Sequence, residues 1–159
     1  MVALASKLAL VVAAPTAAHA AGSWSWPVVG PVIRAYDPPD TPYGAGHRGV
    51  DIACARGAAI RAVAAGTVSF AGSVGGQRYV TVDHGGGLQS TYSWVAQTLV
   101  RKGQVVAVGA SVATCGEGHP GSTTPHVHLG ARSSGVYLDP LPLLGPIDLS
   151  GFLRLAPRA

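Results

Sequence analysis

Two short groupings in this chain carry the residue types of a metal site: His47-Arg48-Gly49-Val50-Asp51 and His126-Val127-His128. Imidazole nitrogen and carboxylate oxygen bind Zn²⁺ without any need for thiolate. On a β-strand, side chains two apart share a face and stand about 6.6 Å apart along the chain. His126 and His128 therefore point into one site, where one can ligate a metal and the other stand beside it, near a bound water. His47 and Asp51 pose a harder problem. On a straight strand they would lie about 13 Å apart, too far to share an ion with bonds near 2 Å. On a helix they would be neighbours, but Gly49-Val50-Asp51-Ile52 is poor helical sequence. The workable arrangement puts His47 on a loop that folds back over the strand bearing Asp51, with Gly44, Gly46 and Gly49 permitting the bend. Two histidines and one carboxylate leave a fourth zinc position open, the pattern of a catalytic rather than a structural site. Zinc so held polarises a peptide carbonyl and lowers the pKa of bound water to about 7. Histidines two apart also line polar faces without any metal, so spacing alone leaves both readings open. His84, in Val82-Asp83-His84-Gly85, reads as a turn residue capping a hairpin. His119 lies in a Gly/Pro loop and reads as exposed rather than as a ligand. His19 falls in an N-terminal apolar segment and carries no site.

The elements that must hold these residues read as strands. Only 11% of the 159 residues are charged and 48% are hydrophobic, with 22 Gly and 12 Pro; that composition suits short strands and tight turns better than Glu/Lys-rich helices. Strands are expected at Val50–Ala53, Ala59–Ala64, Thr67–Ala71, Tyr79–Asp83, Leu88–Trp94, Val105–Val108, Ser111–Thr114 and His126–Ala131. Ala65-Gly66 and Gly109-Ala110 read as hairpin turns. The stretches from Gly57 to Val68 and from Gly103 to Val112 echo each other, which predicts an internally duplicated β-hybrid. Residues 21–46, with Trp24, Trp26, Pro27, Pro31, Pro38, Pro39 and Pro42, show no hydrophobic period and read as an extended segment that wraps the domain and is pinned by the two tryptophans. The stretch Tyr137–Leu155 reads as a short turn or helix closing the core.

The first twenty residues stand apart. Lys7 is followed by the apolar run Leu8–Ala14, then Pro15 and Ala18-His19-Ala20, a small-x-small cleavage pattern. The segment reads as a secretory leader cut after Ala20; a membrane anchor is the alternative, but the run is short against the roughly 20 residues a bilayer needs. No stable membrane insertion is expected once the leader is removed. Export makes a disulfide the natural reading for Cys54 and Cys115, with two buried thiols or a Cys/His zinc site as alternatives. The sequence pI is about 9.4 and the net charge +4. With no Lys/Arg cluster, nucleic acid is a poor partner; mild positive charge suits an anionic wall.

Blocks in a fixed order carry a resemblance. GHRGVDIA, RAVAAGTVSFAG, VTVDHGGGLQSTY, KGQVV, PHVHLGAR and YLDPLPLL together resemble the lysostaphin/LytM-type peptidoglycan endopeptidases, from about Trp26 to Leu144. The resemblance implies an all-β fold around an antiparallel sheet with a groove, a β-sandwich hybrid, over residues 47–145, with 146–159 as a tail. It implies one zinc ion held by His47, Asp51 and His128, with His126 as the catalytic histidine beside it. The implied substrates are the stem or cross-link peptides of peptidoglycan, met by a monomer that is secreted, extracellular or wall-associated. Relatives carry a second catalytic histidine in a Tyr-x-His-Leu block; here the block is Tyr92-Ser93-Trp94-Val95. Indole offers a single N–H donor and no base. The same block resembles an exported actinobacterial branch of the family.

Three functions follow for comparison. A zinc endopeptidase of the wall is supported by the intact ligand trio. A catalytically silent wall-binding or hydrolase-regulating module is supported by Trp94. A biotinyl- or lipoyl-carrier domain is suggested by the GTV and GQVV segments, but it lacks the exposed lysine such a carrier needs.

Overall fold

A computed structural model of the chain describes residues 20–41 and 44–147. The expected leader up to residue 19, Pro42 of the N-terminal segment and the tail beyond residue 147 lie outside them. Eleven strands are described: β1 (Val32–Arg34), β2 (Val50–Ala53), β3 (Ala59–Arg61), β4 (Gly66–Val74), β5 (Gln77–Asp83), β6 (Leu88–Val95), β7 (Gln97–Thr98), β8 (Val105–Val106), β9 (Ser111–Thr114), β10 (His126–Ser133) and β11 (Val136–Leu138). The one helical turn among the described residues is a 3₁₀ turn at Leu141–Leu143. The domain is all-β with antiparallel pairing, as the composition and the resemblance predict. No helix among the described residues is long and apolar enough to cross a membrane.

The larger sheet runs β1-β2-β10-β6-β5-β4-β8, with β11 paired to the far half of β10; the smaller one runs β3-β9-β7. Period-2 alternation decides which face is buried. Val50 and Ile52 on β2, Val80 and Val82 on β5, and Val127, Leu129 and Ala131 on β10 are all fully buried, and Ile60, Val112 and Ala113 of the smaller sheet meet them. Each of the valines, isoleucines and leucines contributes about 1.5–3 kcal/mol on leaving water. The opposite face of β2 and β10 presents Asp51 and His128.

The two hairpins expected at Ala65-Gly66 and Gly109-Ala110 do not form. β3 pairs β9 and β4 pairs β8, so each echoed segment passes from one sheet to the other and pairs with its counterpart. The crossing points are tied by Ala62 N–H to Ala110 O and Gly109 N–H to Ala62 O, both 2.8 Å. The duplication is present in the fold, but as two interlocked arches. The expected strand Ala59–Ala64 accordingly stops at Arg61, and Val105–Val108 stops at Val106.

The N-terminal segment wraps the domain and also contributes β1, an edge strand on β2. Trp24 is buried; its N–H bonds Leu143 O at 2.8 Å and its carbonyl accepts from Gly145 N–H at 2.7 Å, while Trp26 Nε1–H bonds Gly145 O at 2.8 Å.

A buried chain of hydrogen bonds crosses the core. Val63 N–H donates to Tyr92 Oη at 2.7 Å, Tyr92 Oη lies 3.2 Å from Ser90 Oγ, and Ser90 Oγ lies 2.8 Å from His84 Nε2; His84 Nδ1 donates to Ala65 O at 2.8 Å. His84 therefore does not merely cap its turn. It ties that turn to the β3–β4 connection and packs at a tilt against Trp24, ring centroids 5.4 Å apart. Burial pushes the His84 imidazole below its ordinary value, against the pull of Ala65 O and Asp83. Burial pushes the Tyr92 phenol up to about 12, opposed by Ser90 and the Val63 amide. Replacing Tyr92 with Phe leaves the Val63 N–H buried without its acceptor. The expected cost is about 1–3 kcal/mol, read as a lower urea midpoint with unchanged slope.

Candidate metal centre

Strand register sets the site. On the adjacent strands β2 and β10, Asp51 lies directly opposite His128 and Ala53 opposite His126. Directly opposed residues hold their Cβ atoms about 4.5–5.5 Å apart, close enough to share one ion. His47 precedes β2 on a bend of the kind its spacing to Asp51 requires. Its backbone is pinned in both directions to Asp37, at 2.6 and 2.9 Å. Gly49 belongs to that bend for a steric reason: a Cβ there would strike the His128 ring and the Leu129 carbonyl.

The three side chains converge. His47 Nε2 lies 3.0 Å from Asp51 Oδ1, His128 Nδ1 lies 2.9 Å from the same oxygen, and the two nitrogens are 3.0 Å apart. His47 Nδ1 lies 2.7 Å from Ala35 O. A carbonyl only accepts, so Nδ1 carries the hydrogen, and in the neutral ring the Nε2 lone pair faces Asp51 and His128. A second partner that fixes the tautomer of a ligating histidine is the usual support of a metal ligand. Three electron-pair donors at mutual distances of 2.9–3.0 Å can each lie about 2.0–2.1 Å from one zinc ion placed over their triangle, with one side open. The donor set fits the metal. Burial pushes the Asp51 carboxyl up, but the hydrogen bond and charge of His128, the charge of His47 and the hydrogen bond of His119 together outweigh it and hold the group well below the usual carboxylate range. Asp51 is thus an anion at 1% exposure.

His126 stands beside this trio, fully buried. Its Nδ1 donates to Thr124 O at 2.7 Å, which leaves the Nε2 lone pair turned inward, 3.8 Å from Asp51 Oδ2. Gly118 makes room for the ring: a Cβ at this position, where φ is +89°, would overlap the imidazole.

His119 departs from its expected place. The loop between β9 and β10 folds over the site, so the residue is only 26% exposed and its Nε2 lies 3.0 Å from Asp51 Oδ2. Its ring meets that of His126 at 4.7 Å, nearly edge-on. Nothing in the Gly/Pro-rich loop sequence carries a period that would have shown this. The one available signal was a histidine near the His126-Val127-His128 strand. Asp51, His119 and His126 also form a compact group of potential ligands on the second carboxylate oxygen.

Trp94 occupies a β-bulge. Arg78 pairs with Val95 and Tyr79 with Ser93, so Trp94 is the extra residue, at φ 64°. The bulge turns its ring toward Tyr79 at 6.2 Å and toward His119 at 6.4 Å. A bulky residue in the left-handed region costs about 1–3 kcal/mol and is typical of functional sites.

Two hollows lie near the centre, the first of them reaching His128. One of about 520 Å³ runs over the sheet and is lined by Phe70, Tyr79, Thr91, Ser93, His128 and Tyr137. A second of about 370 Å³ is bounded by Trp94, Arg78, Arg56 and Glu117. Cys54, which follows β2, and Cys115, which ends at the loop bearing His119, form a disulfide. Neither cysteine is therefore a zinc ligand.

Comparison with known proteins agrees with this geometry. Residues 45–140 match the model of Peptidase family M23. An uncharacterised protein of Mycobacterium tuberculosis is 38% identical over 143 residues, spanning 85% of this chain and 56% of that protein. The murein hydrolase activator NlpD of Escherichia coli is 32% identical over 121 residues, spanning 75% of this chain and 30% of its own. A crystal structure from Pseudomonas aeruginosa assigned to peptidase M23 superposes with a TM-score of 0.64 at 30% identity, over 78% of this chain and 51% of that one. The chain thus spans about half or less of the length of these proteins.

Proposed function

The chain belongs to Peptidase family M23, and from that premise we propose that it is an exported zinc metalloendopeptidase that hydrolyses peptide bonds in bacterial peptidoglycan. The observation that carries this reading is the trio His47 Nε2, Asp51 Oδ1 and His128 Nδ1 within 3.0 Å of one another, open on one side and beside a groove. These three would hold one zinc ion, which supplies a nucleophilic water at neutral pH and polarises the scissile carbonyl. His126 presents Nε2 as its acceptor nitrogen beside the trio, 3.8 Å from Asp51 Oδ2. It accepts a hydrogen bond from the attacking water, orients it, and takes its proton. The Thr124 carbonyl holds the other ring nitrogen as a donor, which leaves Nε2 as the acceptor, with the His119 N–H 3.4 Å away. The groove over β5, β6 and β10 would receive an extended stem or cross-link peptide along the sheet, with Tyr79 and Tyr137 as walls. The chain acts as a monomer with no nucleic-acid partner, outside the cell or on its wall.

A second reading has its own observation. Trp94 stands on β6 where relatives carry a catalytic histidine, and one relative is named an activator of murein hydrolases. On that reading the same groove grips wall peptide without cutting it.

Zinc content and wall-lytic activity measured together decide between them, with His128→Ala as control. The expected result is one zinc per chain and peptide release from purified wall, both lost in the variant. Full zinc with wall binding and no release would establish the binding module instead.

A further inference from the structure

The endopeptidase reading uses His47, Asp51, His128 and His126 and leaves His119 without a task. Resting on that reading, we propose that His119 is a positioning residue for the metal centre, which fixes the Asp51 carboxylate from the side opposite the ligand trio.

Asp51 offers two oxygens, and they are used differently. Oδ1 faces His47 at 3.0 Å and His128 at 2.9 Å; Oδ2 faces His119 at 3.0 Å. An ionised carboxylate can only accept, so His119 Nε2 carries the hydrogen and donates it to Oδ2. That bond does two things. It stops the carboxylate from rotating to offer both oxygens to one ion, which would fill the side where water must bind. It also holds Oδ1 at 2.9–3.0 Å from the two ligand nitrogens. The ring is itself confined, edge-on to His126 at 4.7 Å and to Trp94 at 6.4 Å. The His119 backbone N–H points to His126 Nε2 at 3.4 Å, so the same residue also touches the proposed proton acceptor. The loop that delivers it is fastened at both ends, by the Cys54–Cys115 bond and by Cys54 N–H to Pro125 O at 3.1 Å. The bulged Trp94 stands on the far side of the His119 ring.

The test is metal binding, read apart from activity. Zinc affinity is measured by competition with a chromophoric chelator for the parent protein, His119→Ala, His119→Gln and His47→Ala, each first shown to be folded by its circular dichroism. Co²⁺ is then substituted for zinc and its visible absorption recorded, because band intensity distinguishes four- from five-coordinate sites. His119→Ala is expected to bind zinc about 10–100-fold more weakly, the usual effect of losing a partner of a ligand, and to give the weaker cobalt bands of a five-coordinate ion. Glutamine, whose side-chain amide donates at similar reach, is expected to recover most of the affinity and the parent spectrum. Unchanged affinity and spectrum in His119→Ala would overturn the proposal, and so would a loss that glutamine does not repair. A parent protein that binds no zinc at all would overturn the metal reading itself, and the parent and His47→Ala titrations show this before His119 is considered.

Discussion

Replacing Asp51 with Asn is expected to leave the protein folded but metal-free and without wall-lytic activity. No other side chain at the centre touches so many partners: His47, His128 and His119 lie within 3.0 Å of its two oxygens and His126 at 3.8 Å. The carboxylate is the single negative charge among four imidazoles. Asn keeps the shape but removes the anionic ligand, and its amide nitrogen must face an imidazole that needs an acceptor. Less than about a tenth of an equivalent of zinc should survive dialysis, against about one for the parent, because the site drops to two neutral donors where a catalytic zinc needs three. The fold should weaken by about 1–3 kcal/mol through unmet hydrogen bonds in a buried site. A variant that retained zinc and lysis would remove Asp51 from the ligand set and with it the reading of the whole centre.

The second large effect is expected from Cys54→Ser with Cys115→Ser. The bond closes a loop of 61 residues, and in the chain-entropy description a cross-link of that span contributes about 4 kcal/mol. For a domain of this size the melting temperature should fall by more than about 10 °C, and reductant should produce the same fall in the parent but none in the double variant. Because Cys115 also anchors the loop carrying His119, zinc affinity should fall along with stability. Equal melting temperatures with and without reductant would show that the bridge adds little to the folded state.

Much of this was legible in the chain. Alternation in Tyr79–Asp83 and Leu88–Tyr92 marks strands with one buried face, and Val80, Val82, Leu88 and Tyr92 are buried accordingly. The bend that lets His47 meet Asp51 followed from the 13 Å that a straight strand would impose. The pairings of the arches were not legible. Gly66 and Gly109 look like hairpin turns, yet a residue pattern fixes which face is buried and not which partner is met. Buried Ile60 and Val112 satisfy the smaller sheet as well as they would a hairpin. For Trp94 the sequence shows the indole but not its setting: the bulge that takes it out of the β5–β6 pairing is a backbone property with no residue signature. His119 was hidden because loops carry no period, and only the closing of residues 116–125 over β10 brings it to Asp51.

The separation of the ligands along the chain has a consequence for assembly. Asp51 and His128 are 77 residues apart, and between them lie the two interlocked arches, whose pairings are themselves distant in sequence. Contacts of such long range slow folding, because loop closure must be paid in entropy before the contacts form. A chain emerging from its amino end thus holds His47 and Asp51 long before it can offer His128, and nascent or truncated forms ending before β10 lack both the partner strand and the remaining donors. The centre is complete only once β10 has paired with β2 and set His128 opposite Asp51. On the endopeptidase reading, it stays without its full donor set until then.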